Sequence, residues 1–303
     1  MIAPSGRQFE ISSGDQRATI VEVGGGIREY EVAGRQVLEP YPRERMCDGG
    51  HGAPLLPWPN RLRGGRYSFD GVDHRVELSE PARGNAIHGF MRWRSWSAAE
   101  QTPERVAMRA TLHPMPGYPF ALELSVAYEL GDTGLAVSTT ATNVGSSACP
   151  YGAGQHPYLS PGEGTVDECV LELPARTRIL TDEASAIPSG SEPVDGTPFD
   201  FREARAIGAT SVDAAFTDLE REDSGRAVTR LTGTDGGCVA LWVDESHGFL
   251  QLFTGDSLAP ARRRTGLAVE PMTCAANAFQ SGDGLIRLEP GNSLTTRWGV
   301  SLL

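Results

Sequence analysis

Apolar and polar residues alternate along much of the chain with a period of two. The longest alternating run has the apolar positions Phe120, Leu122, Leu124, Val126, Tyr128 and Leu130. A turn sequence, Gly131-Asp132-Thr133-Gly134, follows, and the alternation resumes at Leu135, Val137, Thr139 and Ala141. Successive side chains of a strand point to opposite faces of its sheet, so this pattern predicts a long β-hairpin with one buried face.

Shorter β-rich runs are spread over the rest of the chain. They cover residues 8–11, 18–23, 27–32, 105–112, 166–173, 226–231, 238–243, 249–254 and 294–301. Helical periodicity over ten or more residues is absent, and 36 glycines and 21 prolines lie between the runs, as turns require. We predict an all-β fold of antiparallel strands in packed sheets. Residues 185–198 are the most loop-like stretch, and no linker or repeat divides the chain, which favours one domain over residues 1–303.

Charge and composition narrow the range of ligands. The formal net charge is −12, which argues against nucleic acid or an anionic membrane surface as a partner and favours a small neutral ligand. All 27 basic residues are arginine. The absence of lysine excludes mechanisms that need a Schiff-base lysine or a phosphate-loop lysine.

Cysteine usage and hydropathy indicate the compartment. The five cysteines, Cys47, Cys149, Cys169, Cys238 and Cys274, show no C-x-x-C spacing, so we expect reduced thiols rather than disulfides or cysteine-bound zinc. The amino-terminal residues do not resemble a signal peptide, and no apolar run approaches the ~18 residues of a membrane span. A cytoplasmic protein is predicted.

Three residues are candidates for proton transfer. Glu270 ends a short apolar run and is followed by Pro271, so we expect a carboxylate at a strand end beside a rigid turn. His88 lies between Ile87 and Gly89, and His156 lies within Gly154-Gln155-His156-Pro157-Tyr158. A buried histidine bonded to backbone, or a carboxylate with no chemical role, is the structural alternative at each position.

Other polar residues could bind hydroxyl groups. Asn60 and Arg61 follow the rigid sequence Pro57-Trp58-Pro59, Asp213 has small apolar neighbours, and Gln251 is set into a strand-like run. Each could instead be a turn residue, a cap or part of a solvated strand face. Trp58, Trp93 or Phe253 could stack on the apolar face of a ring, an inference from composition alone.

The remaining histidines give little support for a metal. His51, His74, His113 and His247 show neither H-x-H nor H-x-x-x-H spacing. A dispersed site of two histidines and one carboxylate is the open alternative. We predict no metal and no cofactor.

The order of these motifs resembles that of the aldose 1-epimerase (galactose mutarotase) family. Asn60-Arg61, Ile87-His88-Gly89, the His156 segment, Asp213, Gln251-Leu252-Phe253 and Val269-Glu270-Pro271 follow one another as in that family, and the resemblance spans most of the chain. It implies a large antiparallel β-sandwich with a cleft on one sheet.

By this resemblance, Glu270 is the base at the sugar's C1 hydroxyl and His156 is the acid at the ring oxygen. His88 helps to polarise that oxygen, and Asn60, Arg61, Asp213 and Gln251 hold hydroxyl groups. The reaction implied is interconversion of α and β anomers without a cofactor, by a monomer or homodimer. Galactose-type members usually carry Thr-Tyr after the histidine and a polar pair after the glutamate. This chain has Pro157-Tyr158 and Pro271-Met272 instead, which indicates a divergent branch.

Other functions are compatible with the same residues. A hexose-6-phosphate or sulfonated-sugar epimerase could use Arg63, Arg92 or Arg94 on the anionic group. A sugar-binding protein without turnover would keep the pocket but not the chemistry. A glycoside hydrolase would use Asp213 and Glu270 as its carboxylate pair.

Overall fold

The regular secondary structure of the chain is almost entirely β-strand. The computed structural model describes residues 2–303. The first strands are β1 Gln8–Ser13, β2 Gln16–Val21, β3 Ile27–Val32, β4 Arg35–Leu38, β5 Pro54–Leu55, β6 Arg61–Arg63, β7 Arg66–Phe69, β8 Val72–Arg75, β9 Asn85–Ile87, β10 Ser97–Gln101, β11 Arg105–Leu112, β12 Leu122–Gly131, β13 Gly134–Asn143 and β14 Cys149–Tyr151. The others are β15 Gly154–Gln155, β16 Tyr158–Leu159, β17 Val170–Glu172, β18 Ala175–Thr181, β19 Pro188–Pro193, β20 Arg205–Ala206, β21 Asp213–Leu219, β22 Ala227–Thr232, β23 Cys238–Val243, β24 Phe249–Phe253, β25 Leu267–Met272, β26 Ile286–Leu288 and β27 Ser293–Leu302.

Helical structure is confined to short turns. The helix α1 spans Ala278–Ser281, and 3-10 turns occupy Pro81–Arg83, Met91–Trp93, Val166–Glu168 and Pro260–Arg262. None of the helices in residues 2–303 has the length and apolar character that a membrane span requires.

Two large antiparallel sheets form a β-sandwich, which confirms the predicted fold class. The 12-stranded sheet, here the site sheet, has the order β1-β2-β3-β4-β16-β25-β24-β21-β18-β19, with β15 pairing β25 and β5. The 9-stranded sheet, here the back sheet, has the order β10-β11-β12-β13-β27-β23-β22-β17-β20. One apolar cluster contains residues of both sheets, including Ile20 and Val37 from the site sheet and Val126, Val137 and Val300 from the back sheet.

The predicted hairpin is the centre of the back sheet. β12 and β13 pair in continuous register from Leu122↔Asn143 to Gly131↔Gly134. The apolar positions of β12 are buried and the residues between them are half-buried or exposed. Period-two alternation therefore identified both the strands and their buried face.

Two expectations along the chain were wrong. Residues 166–173 do not form one strand, because Val166–Glu168 is a 3-10 turn before β17. Residues 185–198 are not all loop, because β19 pairs with β18. Its two prolines lie at the ends of an edge strand, where a missing N–H leaves no ladder partner unpaired.

Candidate active site

His156 and Glu270 face each other across a break between two strands. Gly154 of β15 pairs with Met272, and Tyr158 of β16 pairs with Ala268, both on β25. The two pairs share one register, so His156 lies opposite Glu270 where the ladder is interrupted. The His156 Nε2 atom is 3.2 Å from Glu270 Oε1, and the two side chains are only 6% and 3% exposed.

The proline after Glu270 has a different role from the one predicted. β25 continues through Pro271 to Met272, so Glu270 lies within a buried strand and not at a strand end beside a turn. Pro271 is tolerated there because β15 and β16 leave this part of β25 without a regular ladder, so its missing N–H has no partner to lose.

His88 and Asn60 form a pair of strained residues beside this break. Both adopt left-handed backbone conformations, with φ of 62° and 53°. The His88 N–H donates to the Asn60 carbonyl at 2.9 Å, and the Asn60 N–H donates to His88 Nδ1 at 3.1 Å. Because Nδ1 accepts this bond, a neutral His88 carries its proton on Nε2. Left-handed non-glycine residues concentrate at functional sites.

A hydrogen-bond chain links the predicted hydroxyl binders. Asn60 Nδ2 donates to Gln251 Oε1 at 3.3 Å, and Gln251 Nε2 donates to Asp213 Oδ1 at 2.7 Å. Gln251 is also the cross-strand partner of Glu270. These contacts fix the amide orientation of Gln251 and place it between the acid–base pair and Asp213.

Arg61 is held by a carboxylate that lies outside the predicted set. Its Nε and Nη2 atoms donate to the two oxygens of Glu80 at 2.8 and 3.0 Å. A two-point contact of this kind fixes the plane of the guanidinium group. Glu80 precedes the Pro81–Arg83 turn, and nothing in the local sequence marks it as the partner of Arg61.

Aromatic stacking orients the His156 ring. Tyr158 stacks on His156 with ring centroids 5.0 Å apart, and His51 stacks on the same tyrosine at 4.6 Å. Arg262 Nη2 lies 2.8 Å from His51 Nδ1, and the Tyr158 hydroxyl donates to the Gly49 carbonyl at 3.0 Å. Gly50 packs so closely that a Cβ there would lie 2.7 Å from His156 Cδ2. The imidazole therefore has little freedom to rotate.

The back sheet anchors the residue before His156. Gln155 is buried and its Nε2 atom donates to the Tyr128 hydroxyl at 3.0 Å, while Trp298 Nε1 donates to Gln155 Oε1 at 3.2 Å. Tyr128 and Trp298 belong to β12 and β27 of the back sheet. Thus the regular sheet fixes the position of the strand break.

Burial controls the protonation of the central pair. It raises the pKa of Glu270 well above its usual range, and the nearby Asp213 charge raises it further. Burial also lowers the pKa of His156 to about 3. Glu270 Oε2 and His156 Nδ1 are buried and make no hydrogen bond within residues 2–303. Both directions favour a neutral pair, a protonated Glu270 beside a neutral His156.

The cavity around this pair brings together every predicted site residue. Asn60, Arg61, His88, His156, Asp213, Gln251 and Glu270 all line it, and its volume is about 240 Å³. We call it the catalytic cavity. Gly49, Gly50, Arg92, Phe253 and Leu258 also contribute to its wall.

Of the three aromatic residues predicted to stack on a sugar, only Phe253 lines the catalytic cavity. Trp58 is buried in the core, where it packs against Phe90 and Phe279. Trp93 is 57% exposed and lies outside the cavity wall.

His88, His156 and Glu270 also have the donor types of a metal site. Their ligand atoms all lie within 4.8 Å of one another. Two imidazoles and one carboxylate are a common donor set for divalent transition metals. The absence of a metal and a cofactor stays a prediction.

The fold and the site together define an antiparallel β-sandwich that carries a buried acid–base pair in a cavity on one sheet. A sequence model of aldose 1-epimerase matches residues 7–301, and the chain belongs to the aldose 1-epimerase family.

Related sequences agree with this assignment, and a solved structure shares the fold. The Escherichia coli K12 protein YihR is 38% identical over 291 residues, covering 95% of this chain and 90% of YihR. The aldose 1-epimerase of the same bacterium is 30% identical over 162 residues, 52% of this chain and 46% of its own. The GalM/aldose epimerase homologue of Caenorhabditis elegans superimposes with a TM-score of 0.86 at 18% identity, covering 98% of each chain.

Several residues around the site were missed as functional candidates. His51, Tyr158 and Glu80 hold His156 or Arg61, yet they occur in unremarkable sequence contexts. Arg92 was named only as one of three arginines for an anionic substrate. Arg63 and Arg94 are exposed and absent from the cavity wall, whereas Arg92 is part of it.

Proposed function

We propose that this protein is a mutarotase that interconverts the α and β anomers of a hexose or related aldose. The observation that supports the proposal most strongly is the direct opposition of Glu270 and His156, 3.2 Å apart and nearly sealed from solvent, inside a cavity whose wall carries hydroxyl-binding groups. Anomer exchange needs a base at the C1 hydroxyl and an acid at the ring oxygen, and it restores the protonation of the protein at the end of each cycle.

In the proposed reaction, Glu270 removes the proton from the C1 hydroxyl while the bond from C1 to the ring oxygen breaks. His156 donates a proton to that oxygen, and an open-chain aldehyde results. Rotation about the C1–C2 bond presents the other carbonyl face. The ring hydroxyl then attacks C1, returning its proton to His156, while Glu270 returns its proton to the C1 oxygen. The Nε2 proton of neutral His88 can polarise the ring oxygen.

The neutral resting pair supplies the same number of protons as the reactive ion pair. A protonated Glu270 beside a neutral His156 becomes a carboxylate beside an imidazolium when one proton moves between them. Sugar hydroxyls would stabilise the charged form by bonding to Glu270 Oε2, which otherwise has no partner within residues 2–303. No proton from bulk water is required.

The test is exchange NMR between the anomers of a panel of free aldoses. The wild-type protein should accelerate exchange, and Glu270→Gln should abolish the acceleration. Glu129→Gln, the same change at an exposed position of β12, is the matched control and should leave the rate unchanged. Sugar binding without accelerated exchange would instead support the non-catalytic alternative, and no acceleration with any aldose would contradict the proposal.

A second candidate, an epimerase of phosphorylated or sulfonated hexoses, is favoured by Arg92. This arginine lines the catalytic cavity, and its Nε atom is buried without a hydrogen bond. Its Nη2 atom is 3.5 Å from the Ile87 carbonyl, and within residues 2–303 no carboxylate pairs with it. Burial lowers its pKa. A half-buried cation without a hydrogen-bonded carboxylate is suited to an anionic substituent.

Matched sugars separate the two candidates. If the substrate is anionic, the ratio of kcat/KM for a 6-phosphorylated or 6-sulfonated hexose to that for the free hexose should exceed one. Arg92→Gln should lower this ratio about tenfold or more, whereas Arg94→Gln, at an exposed neighbouring position, should not change it. A ratio that is the same in wild type and Arg92→Gln would leave the neutral sugar as the substrate.

A further inference from the structure

A second cavity adjoins the catalytic cavity along the site sheet. The two cavities share Asn60, Arg61, Asp213 and Gln251 as a common wall. The second one, here the side cavity, has a volume of about 120 Å³ and is otherwise lined by Arg83, Ile179, Thr181, Asp182, Glu183, Ala186, Pro188, Ala215, Ala275 and Ala276. A ligand held by the shared residues would therefore have open space on both sides of them.

Sheet register shows that the side cavity lies away from the reacting groups. Glu270 on β25 pairs with Gln251 on β24, and Gln251 pairs with Ala215 on β21. β18, which carries Ile179 and Thr181, is the next strand in the order. Strands are about 4.8 Å apart, so β18 lies roughly 14 Å from β25. This distance suits a ligand longer than one pyranose ring.

Small residues create the space, and polar residues border it. Ala215 and Ala275 belong to a small apolar cluster against which Ile179 packs. Thr181 and Asp182 are exposed at the opening. An apolar floor with hydroxyl- and carboxylate-bearing edges matches a pyranose, which has an apolar face and a rim of hydroxyl groups.

The turn that borders the side cavity is fixed in place. Arg83 Nη1 donates to the Glu183 carbonyl at 3.0 Å, and Asn85 Nδ2 donates to the Ser185 carbonyl at 2.7 Å. Asp182 accepts hydrogen bonds from the backbone and the hydroxyl of Ser185. Ala186 on the cavity wall has a φ of 52°, a strained conformation for alanine. These contacts hold the cavity open as a preformed site.

Charge selects against an anion here. Asp182, Glu183 and Asp213 all border the side cavity, while its two arginines already have partners. Arg61 is paired with Glu80, and Arg83 bonds to backbone carbonyls and lies 3.9 Å from Glu80. Carboxylates accept hydrogen bonds from neutral hydroxyls but repel phosphate or sulfonate groups.

We propose that the side cavity is a subsite for a second pyranose, so that the preferred substrate is a reducing disaccharide. The reducing sugar occupies the catalytic cavity, and the second sugar, linked through a hydroxyl near Asp213, lies over Ala215 and beside Thr181. The claim that a disaccharide is turned over rests on the proposed function, whereas the binding of two linked sugars does not depend on turnover.

The experiment compares glucose with 1,3-, 1,4- and 1,6-linked diglucosides, by exchange NMR on the wild type and by calorimetric binding to Glu270→Gln. Thr181→Trp fills the side cavity. Ser189→Trp, next to the cavity residue Pro188 but outside the cavity wall, is the matched control. Ile179→Ala is a second variant that removes an apolar contact without adding bulk.

For at least one linkage, we expect kcat/KM at or above that for glucose and tighter binding than glucose. Thr181→Trp should reduce kcat/KM and binding affinity for the diglucoside by about tenfold or more and leave both quantities unchanged for glucose. Ser189→Trp should change neither quantity for either sugar. Ile179→Ala should weaken only the diglucoside. Equal or weaker binding of every diglucoside, or equal losses for both sugars in Thr181→Trp, would overturn the subsite. Selective binding without anomer exchange would reject the mutarotase proposal and keep the subsite.

Discussion

The two sheets of the sandwich differ in regularity, and the difference separates support from chemistry. In the back sheet, β11, β12, β13 and β27 pair without interruption, and the register shift between Ala98 and Glu100 lies at the edge strand β10. The site sheet contains register shifts in the β2–β3 and β3–β4 pairs and a complete break between β15 and β16. The proposed acid and base lie at this break.

At the interrupted ladder, the backbone N–H and C=O of His156 bond to Ala53 and Gly52 and not to β25, while its side chain still lies opposite Glu270. The cost is that the break needs support from elsewhere. Tyr128 and Trp298 of the back sheet provide it by binding Gln155. We infer that the continuous sheet contributes stability while the interrupted one contributes function, and substitutions can test this division.

The largest effect is expected from Glu270→Gln in the site sheet. Loss of the base should reduce kcat by about 10²–10⁴-fold. Stability at pH 7 should be unchanged or higher: burial raises the pKa of Glu270, so its favourable contribution is present below the unfolded pKa and is lost as pH rises. Anomer exchange and denaturant unfolding measure the two quantities. A large loss of stability with normal kcat would reverse the assignment.

The complementary change is Leu124→Ala in the back sheet. Leu124 is buried in the middle of β12, so its truncation should lower the free energy of unfolding by about 3 kcal/mol. At denaturant concentrations below the unfolding transition, kcat/KM of the variant should equal the wild-type value. Denaturant curves together with exchange rates check this. Reduced catalysis in the fully folded variant would show that the sheets are more tightly coupled than we infer.

Acid should destabilise the protein through the histidines near the break. Burial lowers the pKa of His51 from 6.5 to about 4. A depressed pKa means that stability is present above the unfolded pKa and is lost as pH falls from 6.5 toward 4. Between pH 7 and pH 5, His51 should account for roughly 2 kcal/mol of lost unfolding free energy.

His51→Gln tests this contribution. The difference in unfolding free energy between pH 7 and pH 5 should be smaller in the variant than in the wild type by roughly that amount, whatever its absolute stability. An identical difference in the two proteins would mean that His51 does not titrate as expected.

The smallest effect is expected from Glu80→Gln, which leaves Arg61 without its two-point contact. A less ordered guanidinium should bind the sugar more weakly, raising KM about tenfold with little change in kcat. Glu100→Gln disrupts the Glu100–Arg105 pair in the back sheet and is the matched control, which should change neither constant. A drop in kcat alone would instead place Arg61 in the chemical step.

Period-two patterning predicted the back sheet better than the site sheet. The runs 105–112 and 238–243 coincide with β11 and β23 of the back sheet. β15 and β16 are two residues long, too short for any periodicity, and every residue of β25 is buried, so alternation is absent there. Strands of these kinds are recognised from their neighbours in the folded sheet and not from their own sequence.

In the candidate site, the sequence predicted residues that line the cavity but not the residues that hold them in place. The seven residues that the motif order predicted all line the catalytic cavity. The motif order could place them because the resemblance carries information from outside the chain. Glu80 and His51 were not identified, since their importance depends on contacts across long separations, such as that between His51 and Arg262. The aromatic inference failed at Trp58 because composition does not reveal which face of a loop is buried.

The shared register of β15 and β16 against β25 has an evolutionary consequence. Inserting or deleting one residue between Gly154 and Tyr158, or between Ala268 and Met272, would reverse the direction of every side chain beyond it. Glu270 would then point to the opposite face from His156. Lineages that keep the reaction should therefore vary in length at the surface loops while these two five-residue segments keep their lengths, even after most of their residues have been replaced.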